Sequence, residues 1–457
     1  VKKKYAGIDR LIFYVNKEFS ASSAKDKDKP QYQLNIEKCG SDRGIEIQWR
    51  VQSHVEKMLA QEELKYIKNL YFNPDAGIDR FHEKLMNHKN SILKHIHSSI
   101  KYGDEEVKIH QDYQKLLDFQ KSNTQVMIIH GAAGAGKSAT VKDFLLKKDK
   151  NKKDEKIVLF SSSDLDVKEE NLFLQDGNYG LQDLFGLYKN EKYKLCILDS
   201  AEKYSTARYP EVFGDILHQF LDHGWKVLIT IRTFYKESFC NIFLKNYTFC
   251  ELEILKLKKE TLTEIGMQYS FVLPTDAKVQ DVLCNLFYLN LYLNLDCTSK
   301  DEHMNVDLFR DAIWKQVIRN DFQQYNNLPV KREAFLQRMI CDMLANERYT
   351  YPMKDTDDFE TISALENSGI IIPYKEDRFD WMMSHDVYEE IVTNHIFTKR
   401  LEQDEYLKKT FFSDFGKSFR SRKVYRIWLE SCLADNNDKI QEFLLDILED
   451  ETLEPEW

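Results

Sequence analysis

Apolar residues fall along this chain in two rhythms. Five short runs, Gln125–His130, Lys156–Phe160, Lys194–Leu198, Lys226–Ile231 and Phe249–Leu255, are rich in aliphatic and aromatic side chains and are separated by stretches of helical spacing. Strands alternating with helices predict a parallel sheet covered on both faces. Upstream, Leu11–Val15 and Ile45–Val51 predict two further strands, with a polar loop at Ser20–Lys29 and an amphipathic stretch at Tyr32–Lys38 between them. His54–Phe72 keeps a helical period through Val55, Met58, Leu59, Leu64, Ile67 and Leu70. From His82 to His110 the chain is polar and dotted with histidines (His82, His88, His95, His97, His110). They share no i, i+4 face, so the pattern predicts a solvated linker helix and not a metal site.

From Thr261 onward the period is mostly helical. Thr261-Leu-Thr-Glu264 has the form of a capping box and predicts a helix start. Further helices are predicted at Val282–Leu295, Asp307–Asn320, Arg332–Ala345 and Asp357–Ser368, the last stopped by Gly369. Ile370–Pro373 and Arg378–Met383 then flank a turn at Tyr374–Asp377. Helices running into such a hairpin predict a winged-helix module. Asp386–Lys399 and the acidic, leucine-rich tail return to helix. The domains expected are an N-terminal α/β piece (1–82), a helical linker (83–110), a nucleotide domain (111–258), a helical domain (259–330), a winged-helix domain (331–400) and the start of a C-terminal helical region (401–457).

Composition narrows the classes. The 457 residues exceed one compact core, and 42% hydrophobic with 31% charged residues describes an ordinary globular chain. A net charge of −10 argues against a generally basic nucleic-acid binder. The lysine-rich loop Lys147–Lys156 stays open to two readings, a local nucleic-acid contact or a solvated surface loop. No apolar run reaches the ~18–20 residues of a membrane span, and the first residues carry no signal-peptide pattern. Eight scattered cysteines, without C-x-x-C pairs, suit a reducing, cytoplasmic setting, and Cys196 falls inside a strand pattern as a small core residue. The sequence opens at Val1 within a lysine-rich run, which predicts a fragment of something longer.

The densest chemistry is Gly131-Ala-Ala-Gly134-Ala-Gly136-Lys137-Ser138-Ala139, directly after the first run of the sheet. It is a G-x-x-x-x-G-K-[ST] loop between a strand and a helix. Its glycines let backbone N–H groups turn inward onto phosphate oxygens, and the following helix presents its positive end to the anion. Lys137 would reach the β- and γ-phosphates of ATP or ADP, and Ser138 would offer its hydroxyl to Mg²⁺. Asp199, ending the Lys194–Leu198 run, fits a carboxylate that holds Mg²⁺ through water; a helix cap is the plainer alternative. Three residues on, Glu202 can orient or deprotonate the attacking water. The fold class expected is therefore α/β, a P-loop NTPase parallel sheet of order 5-1-4-3-2 with helical and winged-helix domains after it. In that order the Lys226–Ile231 strand lies between the two motif strands, so Arg232 at its end would report on a γ-phosphate, or else be a surface arginine.

Taken in order, Gly131–Ser138, Ile197-Leu-Asp199-Ser-Ala-Glu202, Ile229-Thr-Ile-Arg232, Leu286-Phe-Tyr-Leu289 and Ser384-His385-Asp386-Val-Tyr-Glu-Glu390 resemble the STAND signalling NTPases, relatives of the NACHT and NB-ARC switches that include bacterial antiviral receptors. The resemblance spans residues 105 to 400. It implies a switch that closes on ADP with His385 against the β-phosphate, exchanges ADP for ATP when a protein trigger binds, and forms a homo-oligomer. It implies slow ATP hydrolysis, with no membrane involved. The chain departs from that pattern at Leu286, where the family has proline, and around Ile109-His110-Gln111, where a Gly-Arg is usual. The N-terminal piece is similar, more weakly, to a restriction-endonuclease-like effector that would act on DNA. Glu37, Lys38 and Glu46 do not make its E-x-K signature, because Gln48 stands at the lysine's position. Two other classes fit the motifs: an AAA-type, origin-recognition-like ATPase docking on DNA, and a regulatory protein that takes nucleotide as ligand without turnover. Arg208 is available as an arginine finger, though nothing marks it.

Overall fold

The structure, a computed structural model, describes residues 8–15, 29–61, 64, 78–107, 109, 114–148, 155–165, 167–168, 180–206, 209–296, 300–323, 325–374, 379–402, 415, 419–434 and 438–449. Arg208, residues 149–154 of the lysine-rich loop and residues 375–378 of the hairpin turn lie outside them. Two compact units divide the chain, residues 1–86 with 175–189, and residues 87–174 with 190–457.

In the first unit, strands β1 (Arg10–Tyr14) and β2 (Glu46–Arg50) pair in parallel, Arg10 opposite Glu46. Parallel neighbours need a crossover, and the helix Gln31–Ser41 supplies it. Glu37 accepts from Lys29, Gln33 and the Trp49 indole, while Glu46 accepts from Arg10 and Gln48. The helix expected at His54–Phe72 begins at Gln52 and its described turns end at Leu59; residues 65–77 lie outside the described set.

The second unit holds a five-stranded parallel sheet built from β5 (Val126–Gly131), β6 (Glu155–Phe160), β7 (Tyr193–Leu198), β8 (Lys226–Arg232) and β9 (Phe249–Ile254). Edge to edge the strands run β9-β5-β8-β7-β6. Every residue of β5 is buried, as an interior strand covered on both faces requires. Met127 and Ile129 share one face with Phe119 and Phe144, under the helices Gln114–Lys121 and Lys137–Lys148. Beyond β7 and β8 the helices Pro210–Asp222 and Thr233–Phe243 bring Phe213, Phe239 and Phe243 together, and Phe213 stacks on Tyr204 at 4.1 Å. Cys196 is fully buried, the core residue that its strand position implies.

The stretch read as a solvated linker is neither wholly helical nor wholly solvated. A helix runs from Ile78 to His95 and buries Phe81, Leu85 and Leu93. An antiparallel hairpin follows, β3 (Ile100–Tyr102) with β4 (Glu105–Val107), turning through Gly103 at φ +60°. Ile100 and Val107 enter the same core as Leu262, Leu289, Phe335, Trp381 and Trp428, so the hairpin belongs to the helical part of the molecule.

Two helix boundaries differ from expectation for physical reasons. The helix expected to begin at the Thr261 box spans Lys259–Gln268, with Lys258 as its cap residue, because the Leu262 amide reaches the Lys258 carbonyl. Thr263 instead turns its hydroxyl back onto the Lys259 carbonyl, so the box motif lies inside the helix. The single helix expected at Val282–Leu295 is two, Ala277–Leu283 and Leu286–Asn294. Asn285 breaks it by accepting the Phe287 amide on its side chain. Elsewhere Val306–Ile313 runs on through a wide turn at Trp314–Arg319, and Leu328–Ala345 starts with proline in its first turn.

Next come three short antiparallel strands, β10 (Tyr351–Pro352), β11 (Ile371–Pro373) and β12 (Asp380–Met383), in the order β10-β12-β11. The helix Phe359–Asn367 leads into them, capped by Asp358 and closed by Gly369 at φ +68°. Asp386–Glu402 leaves them, followed by Phe419–Ala434 and Asp438–Glu449. No helix among the described residues is long and apolar enough to cross a membrane.

Candidate functional site

The loop after β5 lies at the carboxyl end of an interior strand, between β8 and β9. Gly131 pairs with Arg232 on one side and Ile254 on the other, and a Cβ on Gly131 would come within 2.6 Å of the Ile254 carbonyl. Gly134 sits at φ +73° and Gly136 at φ +100°, backbone conformations that L side chains resist. The Lys137 ammonium arches back to the carbonyls of Gly131 (3.2 Å) and Ala132 (2.9 Å). Burial lowers its pKa, with Glu202 opposing that shift. Ser138 donates to Asp199 Oδ1 at 2.7 Å. Thr230, on β8 and 1% exposed, donates to the same oxygen at 2.7 Å and accepts the Ser200 amide at 2.9 Å.

A phosphate loop on an interior strand of the parallel sheet, its serine against the carboxylate that follows β7, decides the architecture. This is a P-loop NTPase fold. Hydroxyl and carboxylate oxygens are the ligands a hard divalent cation prefers, so Ser138 and Asp199 fit Mg²⁺.

Above the loop opens a cavity of about 420 Å³. Gly134, Gly136, Lys137, Ser138, Ala139 and Asp199 line it. Its apolar lining includes Ile92, Ile96, Ile100 and Ile109, from the segment read as a solvated linker, together with Leu286 and Pro373. The Lys142 ammonium holds the Ile96 carbonyl at 2.5 Å and so fixes that wall to the helix after the loop. Asn285 ties the helical region to the loop: its amide donates to the Ala133 carbonyl at 2.7 Å, and the Phe287 backbone N–H reaches the Gly134 carbonyl at 3.3 Å. Phe287 falls within the Leu286–Leu289 motif noted in the sequence, whereas Asn285 lay unmarked inside the single helix expected at Val282–Leu295.

His385 lies in the cavity wall, stacked on Phe287 at 3.9 Å, and its Nδ1 accepts the Val387 amide at 3.1 Å. Burial pushes its pKa down to about 4. Its neutral form is therefore favoured in the fold, whereas an unfolded histidine charges below its usual 6.5. Stability should fall as pH drops from about 6.5 toward 4, by about 1–2 kcal/mol from His385 at pH 5. Burial shifts His130 and His395 the same way. A thermal melt series from pH 7 to 5 is expected to show a declining midpoint, with a shallower slope in His385→Phe.

Arg232 meets a ring of carboxylates. It donates through Nε to Asp386 at 2.8 Å, pairs again with Asp386 through its terminal nitrogen, and reaches Glu390 at 3.3 Å and Glu202 at 3.5 Å. Burial would lower its pKa, but Asp386, Glu390 and Glu202 outweigh that and hold the guanidinium above its usual range. Burial alone would raise Asp386; Arg232 and Lys203 hold it well below the ordinary carboxylate range. Glu202, placed in sequence as the hydrolytic carboxylate, is 3% exposed and accepts the Arg232 backbone N–H at 3.3 Å. The i, i+4 pair Asp386 and Glu390 on one helix was the available signal for this cluster.

The helix Phe419–Ala434 adds two buried cations. Arg420 pairs with Glu389 at 2.6 Å and lies over the Tyr349 ring. The Lys423 ammonium sits 4.1 Å from the centre of the Tyr235 ring, one turn beyond Arg232. Burial, with Arg232 acting in the same direction, pushes its pKa down to about 8.

No protein-family model and no curated protein matches the chain. Solved structures are similar to it at low identity. A Walker-type ATPase of Pyrococcus abyssi is 11% identical, over 61% of this chain and 93% of that one, with a TM-score of 0.32. A STAND protein with a tetratricopeptide repeat sensor from Pyrococcus horikoshii is 14% identical, over 77% of this chain and 55% of that one, with a TM-score of 0.32. The Aeropyrum pernix Orc1 protein in complex with DNA is 13% identical, over 67% of this chain and 99% of that one, with a TM-score of 0.35.

Proposed function

We propose that the chain is an ATP/ADP-binding switch of the STAND type, held at rest with ADP and slow to hydrolyse ATP. One observation carries this reading. Arg232, at the end of the strand beside the phosphate loop, is engaged by Asp386 and Glu390, carboxylates borne on a helix more than 150 residues later. A γ-phosphate arriving at the loop would compete with those carboxylates for the same guanidinium. Binding ATP and keeping the Asp386 contact are then alternatives, which gives the nucleotide the differential affinity that a switch needs.

Lys137, the loop amides of Gly134 and Gly136, Ser138 and Ala139 would hold the phosphates. Ser138 and Asp199 would hold Mg²⁺, which would neutralise phosphate charge. In the Arg232-paired arrangement Glu202 is engaged by the Arg232 backbone N–H and guanidinium, which would compete with a water for its carboxylate and keep turnover slow. His385, stacked on Phe287 at the cavity wall, would lie against the β-phosphate of ADP. Release of the winged-helix module that carries Asp386 would free surface for a homo-oligomer, and an N-terminal effector would respond to that clustering. A protein trigger, an effector acting on DNA and a role in bacterial antiviral defence belong to the same reading.

The test is direct. The chain purified without added nucleotide and then denatured is expected to release about one ADP per molecule, identified by chromatography. His385→Ala is expected to retain less than half as much and to lose it several-fold faster. An empty wild-type site that binds and turns over ATP freely would point to a cycling ATPase and remove the latch.

A further inference from the structure

Asp199 Oδ1 receives two hydroxyls, Ser138 and Thr230, each at 2.7 Å. On the nucleotide reading above, the Ser138 hydroxyl is the one that turns to Mg²⁺. Thr230 is then the hydroxyl that stays on Oδ1, while the Ser200 hydroxyl reaches the other oxygen, Oδ2, at a longer 3.5 Å. Its own position is fixed: it lies on β8, hydrogen-bonded between β5 and β7, and its side chain is out of solvent.

The same hydroxyl does a second job. Its oxygen accepts the Ser200 amide at 2.9 Å, and Ser200 stands at φ +59°, a left-handed conformation that a serine resists. That residue makes the sharp turn from β7 into the short helix Ala201–Thr206, which carries Glu202 to the cavity wall. The hydroxyl's one proton is committed to Asp199 and one of its two lone pairs to the Ser200 amide.

We infer that Thr230 is a positioning residue for the metal end of the site: one hydroxyl sets both the Asp199 carboxylate and the turn that carries Glu202. This rests on the nucleotide reading of the loop. Outer partners of ligating carboxylates are commonly worth ten- to a hundredfold in metal affinity.

The test compares wild type, Thr230→Val and Thr230→Ser by titrating a fluorescent ADP analogue, first in EDTA and then across a Mg²⁺ series. Thr230→Val is expected to need about tenfold more Mg²⁺ for the same gain in affinity, with its EDTA affinity within about twofold of wild type. Thr230→Ser, which keeps the hydroxyl, is expected to follow wild type. Equal Mg²⁺ dependence in wild type and Thr230→Val would overturn the inference. So would equal impairment of Val and Ser, or a loss in EDTA as large as the loss in Mg²⁺, since both mark a packing effect. A wild-type chain that binds no nucleotide under either condition would fail the nucleotide reading itself, and is recognised before any variant is compared.

Discussion

Lys137→Ala is expected to weaken ADP and ATP binding by roughly 100-fold or more, while the fold stays intact. The ammonium holds only loop carbonyls, Gly131 at 3.2 Å and Ala132 at 2.9 Å, and these can take water once it is gone. Its burial makes it a poorly solvated cation beside a cavity, where an anion is worth more to it than in bulk water. Hydrogen bonds to charged groups contribute about 1.5–3 kcal/mol each. Losing those to the phosphates then amounts to about two decades of affinity. Titration of the variant with a fluorescent ADP analogue, alongside a melt to show that it folds, is the measurement. Wild-type affinity in the variant would remove Lys137 from the site.

Asp386→Asn is expected to speed ADP dissociation roughly 30-fold, followed by chase with unlabelled nucleotide. Asparagine keeps the shape but removes the charge that Arg232 contacts through two nitrogens. Breaking a buried pair costs about 3–5 kcal/mol when the remaining charge is stranded. Here Glu390 at 3.3 Å and Glu202 at 3.5 Å still compensate the guanidinium, so about 2 kcal/mol is the fitting figure. The loss falls on the arrangement in which Asp386 and Arg232 touch. An unchanged dissociation rate would show that this contact does not govern retention.

What was legible in the sequence was local. The phosphate loop, the strand before it and Asp199 declare themselves within a few residues, because backbone turns and strand burial are set by near neighbours. The Arg232–Asp386 pair joins residues 154 positions apart, and only the folded chain brings them together. Thr261-Leu-Thr-Glu264 shows how a local signal can mislead: the capping form is present, yet the helix had already begun at Lys259. The β3–β4 hairpin was readable in part, since Gly103-Asp104 between short runs is a two-residue turn signal. The polar, histidine-dotted residues before it masked that signal. Asn285 was hidden because a mid-helix asparagine in an apolar run gives no hint that its amide will meet a carbonyl of the phosphate loop.

That asparagine has a consequence for how the molecule comes apart. Its side chain closes the first turn of Leu286–Asn294 with one atom and grips the Ala133 carbonyl with another. Melting that turn removes the grip on the loop, and loosening the loop removes a hold on the cap. Hydrogen exchange should find the backbone amides of the two segments opening together, as one cooperative unit with a shared free energy. The floor of the nucleotide cavity thus takes part of its rigidity from a helix that lies outside the sheet domain altogether.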